Sequence, residues 1–281
     1  VAEAAPSHNL PAGPLHRHHL LLRRLHSLTG IVPVGVFLIA HLLTNSSLAW
    51  GKAGLRGAHP ELGWQDGGVA YFAKEVRWIN TQVPHLLLVE IVLWVSIAFH
   101  AGLGLVYARS GRGNYPRYPY ISNLRYTLQR LTGYIALVFI FYHVATLRWG
   151  WSFLVPGGTE WSADYAASSL AAAIRGAREG WTLPGMGVAV LYFAGVTATV
   201  FHFANGLWTA AITWGLTISA AAQRRWGYVC AAVGAGLLLA GWSALGAALL
   251  LDPERAARVE AALIPEASGP ARQHAGMKES P

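Results

Sequence analysis

Four histidines of this chain, His41, His100, His143 and His202, stand well inside runs of apolar residues that hold almost no other charge. Imidazole titrates near neutral pH and offers a nitrogen lone pair to a metal. Inside a membrane an ionisable side chain is costly enough to imply a task. For one such histidine, a hydrogen bond to a neighbouring helix carbonyl is an equally good explanation. Four of them, each in its own run, favour a shared chemistry.

The runs that must position them read as membrane spans. Hydrophobic residues make up 54% of the 281 and charged residues 12%, with a mean hydropathy of +0.37. No Asp, Glu, Lys or Arg occurs between Arg24 and Lys52, Arg130 and Arg148, Glu179 and Arg224, or Arg225 and Asp252, and Glu90 is the single charge between Arg77 and Arg109. Each window can hold a helix that crosses a hydrocarbon core of about 30 Å. A soluble helical protein would show polar faces at helical spacing, and these runs do not. The predicted class is therefore an all-α integral membrane protein, a bundle of five helices at 25–43, 83–107, 128–149, 185–216 and 228–251. Residues 1–24 read as a cytoplasmic tail and 252–281 as a flexible C-terminal tail. The first 22 residues lack the apolar core and cleavage site of a secretory signal. The single cysteine, Cys230, excludes a disulfide within the chain, a thiolate-held iron–sulfur cluster and covalent heme attachment.

Depth sorts the histidines. By helical rise His41 lies roughly 25 Å from Arg24, and His143 roughly 20 Å from Arg130, both towards the outer face. His100 lies roughly 13 Å from the inner end of its span, and His202 about 26 Å from Gly185 at the outer start of its own, so both fall in the inner half. Two facing pairs result. Axial ligation of a b-type heme by two imidazoles needs such a pair on neighbouring helices at one depth, with room for a flat macrocycle. Gly104 and Gly206, each four residues beyond an inner histidine, leave that room, although ordinary close helix packing explains small residues equally well.

Arg23, Arg24, Arg109, Arg112, Arg117, Arg125, Arg224 and Arg225 cluster near span ends on the side of the N terminus, which the positive-inside rule makes cytoplasmic. The net charge of +8 then reflects contact with anionic membrane lipids or a cytoplasmic protein partner and not with nucleic acid.

RRLHSLTGIVPVGVFLIAH at 23–41, FHAGLG at 99–104, LQRLTG at 128–133 with FYHV at 141–144, and FHFANGLWTAAITWG at 201–215 form one ordered set. The set resembles the diheme cytochrome b anchors of succinate dehydrogenases, which are related to the anchors of menaquinol:fumarate reductases. The resemblance runs from about 23 to 225. It implies two heme b groups, with His100 and His202 the axial ligands of the inner one and His41 and His143 those of the outer one. It also implies a complex in the bacterial cytoplasmic membrane. There a flavoprotein subunit oxidises succinate, an iron–sulfur subunit relays electrons, and the anchor passes them to a quinone. The arginine-rich face is then the docking face for those two subunits.

Quinone reduction takes up protons, so a protonatable group is expected near the outer heme. Glu90, about 10 Å into the second span, is the first candidate; a carboxyl hydrogen-bonded between helices explains it equally well. His85 and Glu75 are further candidates, and Arg24, His26 and Ser27 are candidates for heme propionate contacts. The fumarate reductases of this family that compensate transmembrane electron flow carry a glutamate two residues before the fourth-span ligand. This chain has Val200 there. The direction expected is succinate to menaquinone, assisted by the membrane potential at about 2.3 kcal/mol per charge per 100 mV. A quinol-oxidising fumarate reductase anchor, another diheme membrane cytochrome b, and a heme-free transporter or assembly protein remain the alternatives.

Overall fold

The computed structural model describes residues 18–83, 86–110 and 115–264. Among them every regular element is helical: α1 (His19–Ile31), α2 (Pro33–Gly54), α3 (Trp64–Gln82), α4 (Leu86–Ser110), α5 (Ile121–Leu147), α6 (Ala166–Arg175), α7 (Leu183–Thr213), α8 (Ala220–Leu250) and α9 (Pro253–Leu263), with two short 3-10 turns between α5 and α6. A chain in hydrocarbon has no water to pair its amides, so the helix is the local solution open to it.

Five helical stretches are long and apolar enough to cross a membrane, α1 and α2 counting as one stretch of 36 residues from His19 to Gly54. That stretch bends at Val32, because Pro33 has no N–H to give and its ring crowds the preceding turn. The bend lets α1 lean on α4 and α7 while α2 runs along α8. α7 lies between α5 and α8, and α4 rests mainly on α1 and meets α5 only slightly. Large apolar side chains point outward along the spans, among them Leu87 (71% exposed), Val138 (65%), Val190 (68%) and Leu239 (68%). A water-soluble surface rarely carries such a continuous apolar belt; lipid is the solvent it fits.

At one end of the bundle α3, α6 and α9 form a cap. Val69, Phe72 and Val76 of α3 pack with Ala167, Ala171 and Ile174 of α6, with Tyr192, Leu245 and Leu251, and with Ala256 of α9. The Asp66 carboxylate accepts two hydrogen bonds from Arg255, at 2.7 and 2.8 Å, and Arg77 donates to the Leu263 carbonyl at 2.7 Å. Glu260, with no exposed surface, accepts from the Ala167 and Ser168 amides at 2.7 and 3.2 Å and from the Ser168 hydroxyl at 2.6 Å. It thereby supplies acceptors for the amides that the first turn of a helix leaves unpaired.

The two predicted tails differ from the structure where it describes them. Residues 253–263 are helical, because Asp252 caps the start of α9 and Ala256 and Glu260 find burial against α6; 265–281 lie outside the described residues. Helix already begins at His19, ahead of the apolar window, because flanking arginines at headgroup level do not oppose helix formation. Residues 1–17 lie outside the described residues.

Candidate functional site

His100 on α4 and His202 on α7 face each other with ring centres 6.0 Å apart and planes at 86°. Towards the cap, His41 on α2 and His143 on α5 do the same at 5.7 Å and 80°. An iron bound by one nitrogen of each ring, with metal–imidazole bonds of about 2 Å, places the ring centres roughly 6 Å apart. Both pairs therefore fit axial ligation. Among the described residues no group of three or more His, Cys, Asp or Glu side chains converges. Two imidazoles per site suit a group that brings its own equatorial nitrogens, as a heme does.

A ligand nitrogen must be unprotonated, and the partner of the other ring nitrogen decides which one that is. His100 Nδ1 lies 2.8 Å from the carbonyl of His26, and His202 Nδ1 lies 3.0 Å from the carbonyl of Gln129. A carbonyl only accepts, so both Nδ1 atoms carry the proton and both Nε2 atoms offer a lone pair. Around His202 the lock extends further. Gln129 Nε2 donates back to the His202 carbonyl at 3.1 Å, and the Asn205 amide donates to Gln129 Oε1 at 2.8 Å. Asn205 Oδ1 accepts from Arg125 at 2.8 Å, and that guanidinium lies 3.9 Å above the Trp208 ring. At the cap side His143 Nδ1 faces the Tyr192 hydroxyl at 3.3 Å. His41 has the Asn45 amide 3.5 Å from its ring nitrogens, an amide already committed to the His41 carbonyl at 2.8 Å.

No family model matches the chain, and no solved structure matches it. Among curated proteins the chain is similar to the succinate dehydrogenase cytochrome b558 subunit of Bacillus subtilis (strain 168). The two are 33% identical over 224 residues, which are 79% of this chain and 94% of that protein. The chain belongs to the family of succinate dehydrogenase cytochrome b subunits.

The other predicted site residues are dispersed. Glu90 is not the solitary carboxyl that the charge-free span suggests, because Arg148, at the end of α5, donates to its Oε1 through Nη2 at 2.7 Å and Nε at 3.1 Å. The pair joins the cap-side ends of α4 and α5, near Trp94 and Trp149, whose rings lie 5.3 Å apart. Glu75 sits on α3 in the cap beside the Tyr71 hydroxyl, and burial together with that carboxylate raises the phenol pKa. His85 lies outside the described residues. Arg24 lies 5.7 Å from the Trp214 ring, and Ser27 accepts from Trp214 Nε1 at 2.9 Å. His26 stacks on His100, ring centres 4.0 Å apart. These three stand together at the arginine-rich end of the bundle, His26 against a ligand candidate and the other two against α7.

Gly104, expected with Gly206 to leave room for a macrocycle, faces the His26 ring, and Gly206 faces the Gln129 side chain. The glycines against the imidazoles are on the opposing helices. A Cβ on Gly30 would run into the His100 ring, and one on Gly133 would come within 3.0 Å of His202 Cε1. Helical spacing finds only glycines on a ligand's own helix, so it misses these. Gln129, Asn205 and Tyr192 are likewise missed. The signal available for the first two was a pair of polar amides within predicted spans, inside the LQRLTG and FHFANG segments.

Proposed function

We propose that this chain is the membrane anchor of succinate dehydrogenase and holds two heme b groups, one between His41 and His143 and one between His100 and His202. The observation that carries the reading is the meeting of imidazoles in two separate pairs, contributed by four different helices. Quinol:cytochrome c reductase cores instead take two ligands from each of two helices. When bound, each heme supplies a one-electron iron couple, which suits passage of electrons between an aqueous partner and a membrane quinone.

The residues of the chain do the rest. His26 and Gln129 hold the His100 and His202 imidazoles through main-chain carbonyls. The flavoprotein and iron–sulfur subunits dock on the arginine-rich end, where Arg23, Arg24, Arg109, Arg125 and Arg225 gather, and that end faces the cytoplasm. Quinone is reduced at the cap side, with Glu90 taking part in proton delivery and Trp94 and Trp149 beside it. Val200 packs against Leu42, Phe203 and Leu237, in apolar surroundings with no proton to offer. The electrons therefore cross without a compensating proton route at that position, and the quinone that such an electrogenic path serves is menaquinone, whose reduction by succinate is otherwise uphill.

A reduced-minus-oxidised spectrum of the purified complex, with pigment extraction, tests the core of this reading. Two b-type hemes per chain are expected, and a single heme or none overturns it. Succinate-dependent menaquinone reduction in sealed, energised vesicles tests the direction. An uncoupler should slow it, and a rate indifferent to the uncoupler removes the electrogenic reading while leaving the anchor role intact.

A further inference from the structure

We infer that Arg130 and Tyr107, with His26 beside them, form a carboxylate-binding site at the arginine-rich end and receive the propionates of the heme held between His100 and His202. The inference rests on the proposed heme ligation.

Arg130 Nε, the Tyr107 hydroxyl and His26 Nδ1 are buried atoms with no hydrogen-bond partner among the described residues. Burying a polar atom unpaired is costly, and a charged one most of all. Three such atoms on one side of the His100–His202 pair point to an acceptor that the helices do not provide. His26 stacks on His100 and meets Tyr107 edge to face, with centres 5.7 Å apart. Arg130 reaches from α5 to donate through Nη2 to the carbonyl of Ala108, the residue after Tyr107. His100, Gly104 and Tyr107 recur on one face of α4 at helical spacing, Tyr107 roughly 10 Å of rise beyond His100. Arg130 stands one turn before Gly133, whose bare Cα lies against the His202 ring.

The acceptor that fits is an anion. No Asp or Glu occurs at 4–60, 91–159 or 180–251, so the helices that build this end bring arginines and no acid to answer them. Every ion pair among the described residues lies at the cap side. A guanidinium only donates, and its Nε with the adjacent Nη forms a fork that matches a carboxylate. A heme meets the requirement, because its flat body is apolar and its two carboxylates stand on one edge. Arg24 and Ser27 suit the task less. The Arg24 guanidinium lies 5.7 Å from the Trp214 ring, and Ser27 gives its proton to the Arg24 carbonyl at 2.8 Å while accepting from Trp214, which leaves it no donor.

The test is a redox titration of the whole complex in membranes, joined to redox-difference infrared spectra of complex whose hemes carry a carbon-13 label at the propionate carboxyls. His41→Ala, which removes the cap-side component, identifies which is which. Arg130→Gln removes the cation that offsets carboxylate charge near the iron. The arginine-side midpoint should fall by up to about tenfold in the oxidised-to-reduced ratio, about 59 mV for a one-electron couple, with the other midpoint unmoved. A labelled carboxylate band of the same component should move. Arg130→Lys, which keeps the charge and loses the fork, should restore most of the midpoint and still move the band, and Tyr107→Phe should do the same. If Arg130→Gln yields no assembled complex, these two variants decide by the infrared readout. An unchanged arginine-side midpoint in Arg130→Gln, or equal shifts of both components, overturns the assignment. So does a midpoint shift with every labelled band in place, which would assign Arg130 to another anion such as a lipid phosphate. Absence of two b-type components in the unaltered complex overturns the heme reading instead, so the two failures are distinct.

Discussion

At the arginine-rich end, His100 and His202 each give Nδ1–H to a main-chain carbonyl of another helix. At the cap end, His143 meets a phenol and His41 an amide of its own helix. Ring separations and plane angles are nearly the same in the two pairs. Equal ligand geometry is thus reached through unequal support. A carbonyl acceptor cannot be mutated away and has one polarity, so the arginine-side pair is set by how α1 lies on α4 and α5 on α7. The cap-side pair depends on individual side chains and is the more tunable of the two. The difference matches the proposed tasks: entry of electrons from a fixed protein partner at one end, and exchange with a mobile quinone at the other.

The largest expected effect tests the pairing itself. His41→Ala and His143→Ala should each abolish the proposed cap-side heme and leave the proposed arginine-side one, because a noncovalent heme is not retained on one ligand of two. His100→Ala and His202→Ala should do the reverse or block assembly. Spectra in which His41→Ala and His143→Ala lose different components break the comparison at its root.

The next effect tests whether backbone approach supports the arginine-side pair alone. Gly30→Ala and Gly133→Ala place a methyl against the His100 and His202 rings, an overpacking that costs about 1–3 kcal/mol. The arginine-side component should shift or disappear while the cap-side component stays. Gly104→Ala, where the nearest side-chain atom is His26 Cε1 at 3.4 Å, should be milder. If all three variants behave alike in the spectrum, close approach to the imidazoles is not what matters.

Glu90→Gln sharpens the cap-side half. It removes the carboxylate paired with Arg148 and one acid from the proposed proton path, so quinone reduction should slow by about 10²-fold, the low end of general acid–base effects. Heme reduction by succinate should be unchanged. Equal slowing of both steps would assign Glu90 to assembly of α4 against α5.

The smallest effect concerns the cap. Burial pushes the Glu260 carboxyl above its usual range. An acid raised on folding adds stability fully below its unfolded value, near 4.3, and that contribution is lost as pH rises through the raised value. The α6 amides of Ala167 and Ser168 should therefore gain hydrogen-exchange protection as pH falls through this window, and Glu260→Gln should abolish the trend. Loosening the cap should disturb the cap-side heme spectrum only. A matching change at the arginine side would mean that the two ends do not respond separately.

Much of the architecture was legible in one dimension, for a reason particular to lipid. Hydrocarbon penalises every charge and every unpaired amide, so charge-free windows mark the spans and a constant rise per residue turns sequence position into depth. His41, His100, His143 and His202 were legible as candidates because histidine in such a window is conspicuous. The cap was not legible. α9 carries charges at Glu254, Arg255, Arg258 and Glu260, so it does not stand out as a span, and its burial depends on Glu260 meeting the start of α6, some ninety residues earlier in the chain. Glu90 could be seen as an acid in a span, but Arg148 belongs to another helix end.

The amino-acid sequence by itself therefore determined the solvent, the number of spans and the level at which each histidine stands, because these depend on local polarity and on a one-dimensional ruler. Tertiary structure alone decided what each imidazole leans on: the carbonyls of His26 and Gln129, the phenol of Tyr192, and the bare Cα atoms of Gly30 and Gly133. These are contacts between helices. Their rotation about their own axes is set by how side chains interlock in three dimensions, which a periodicity along one chain does not encode.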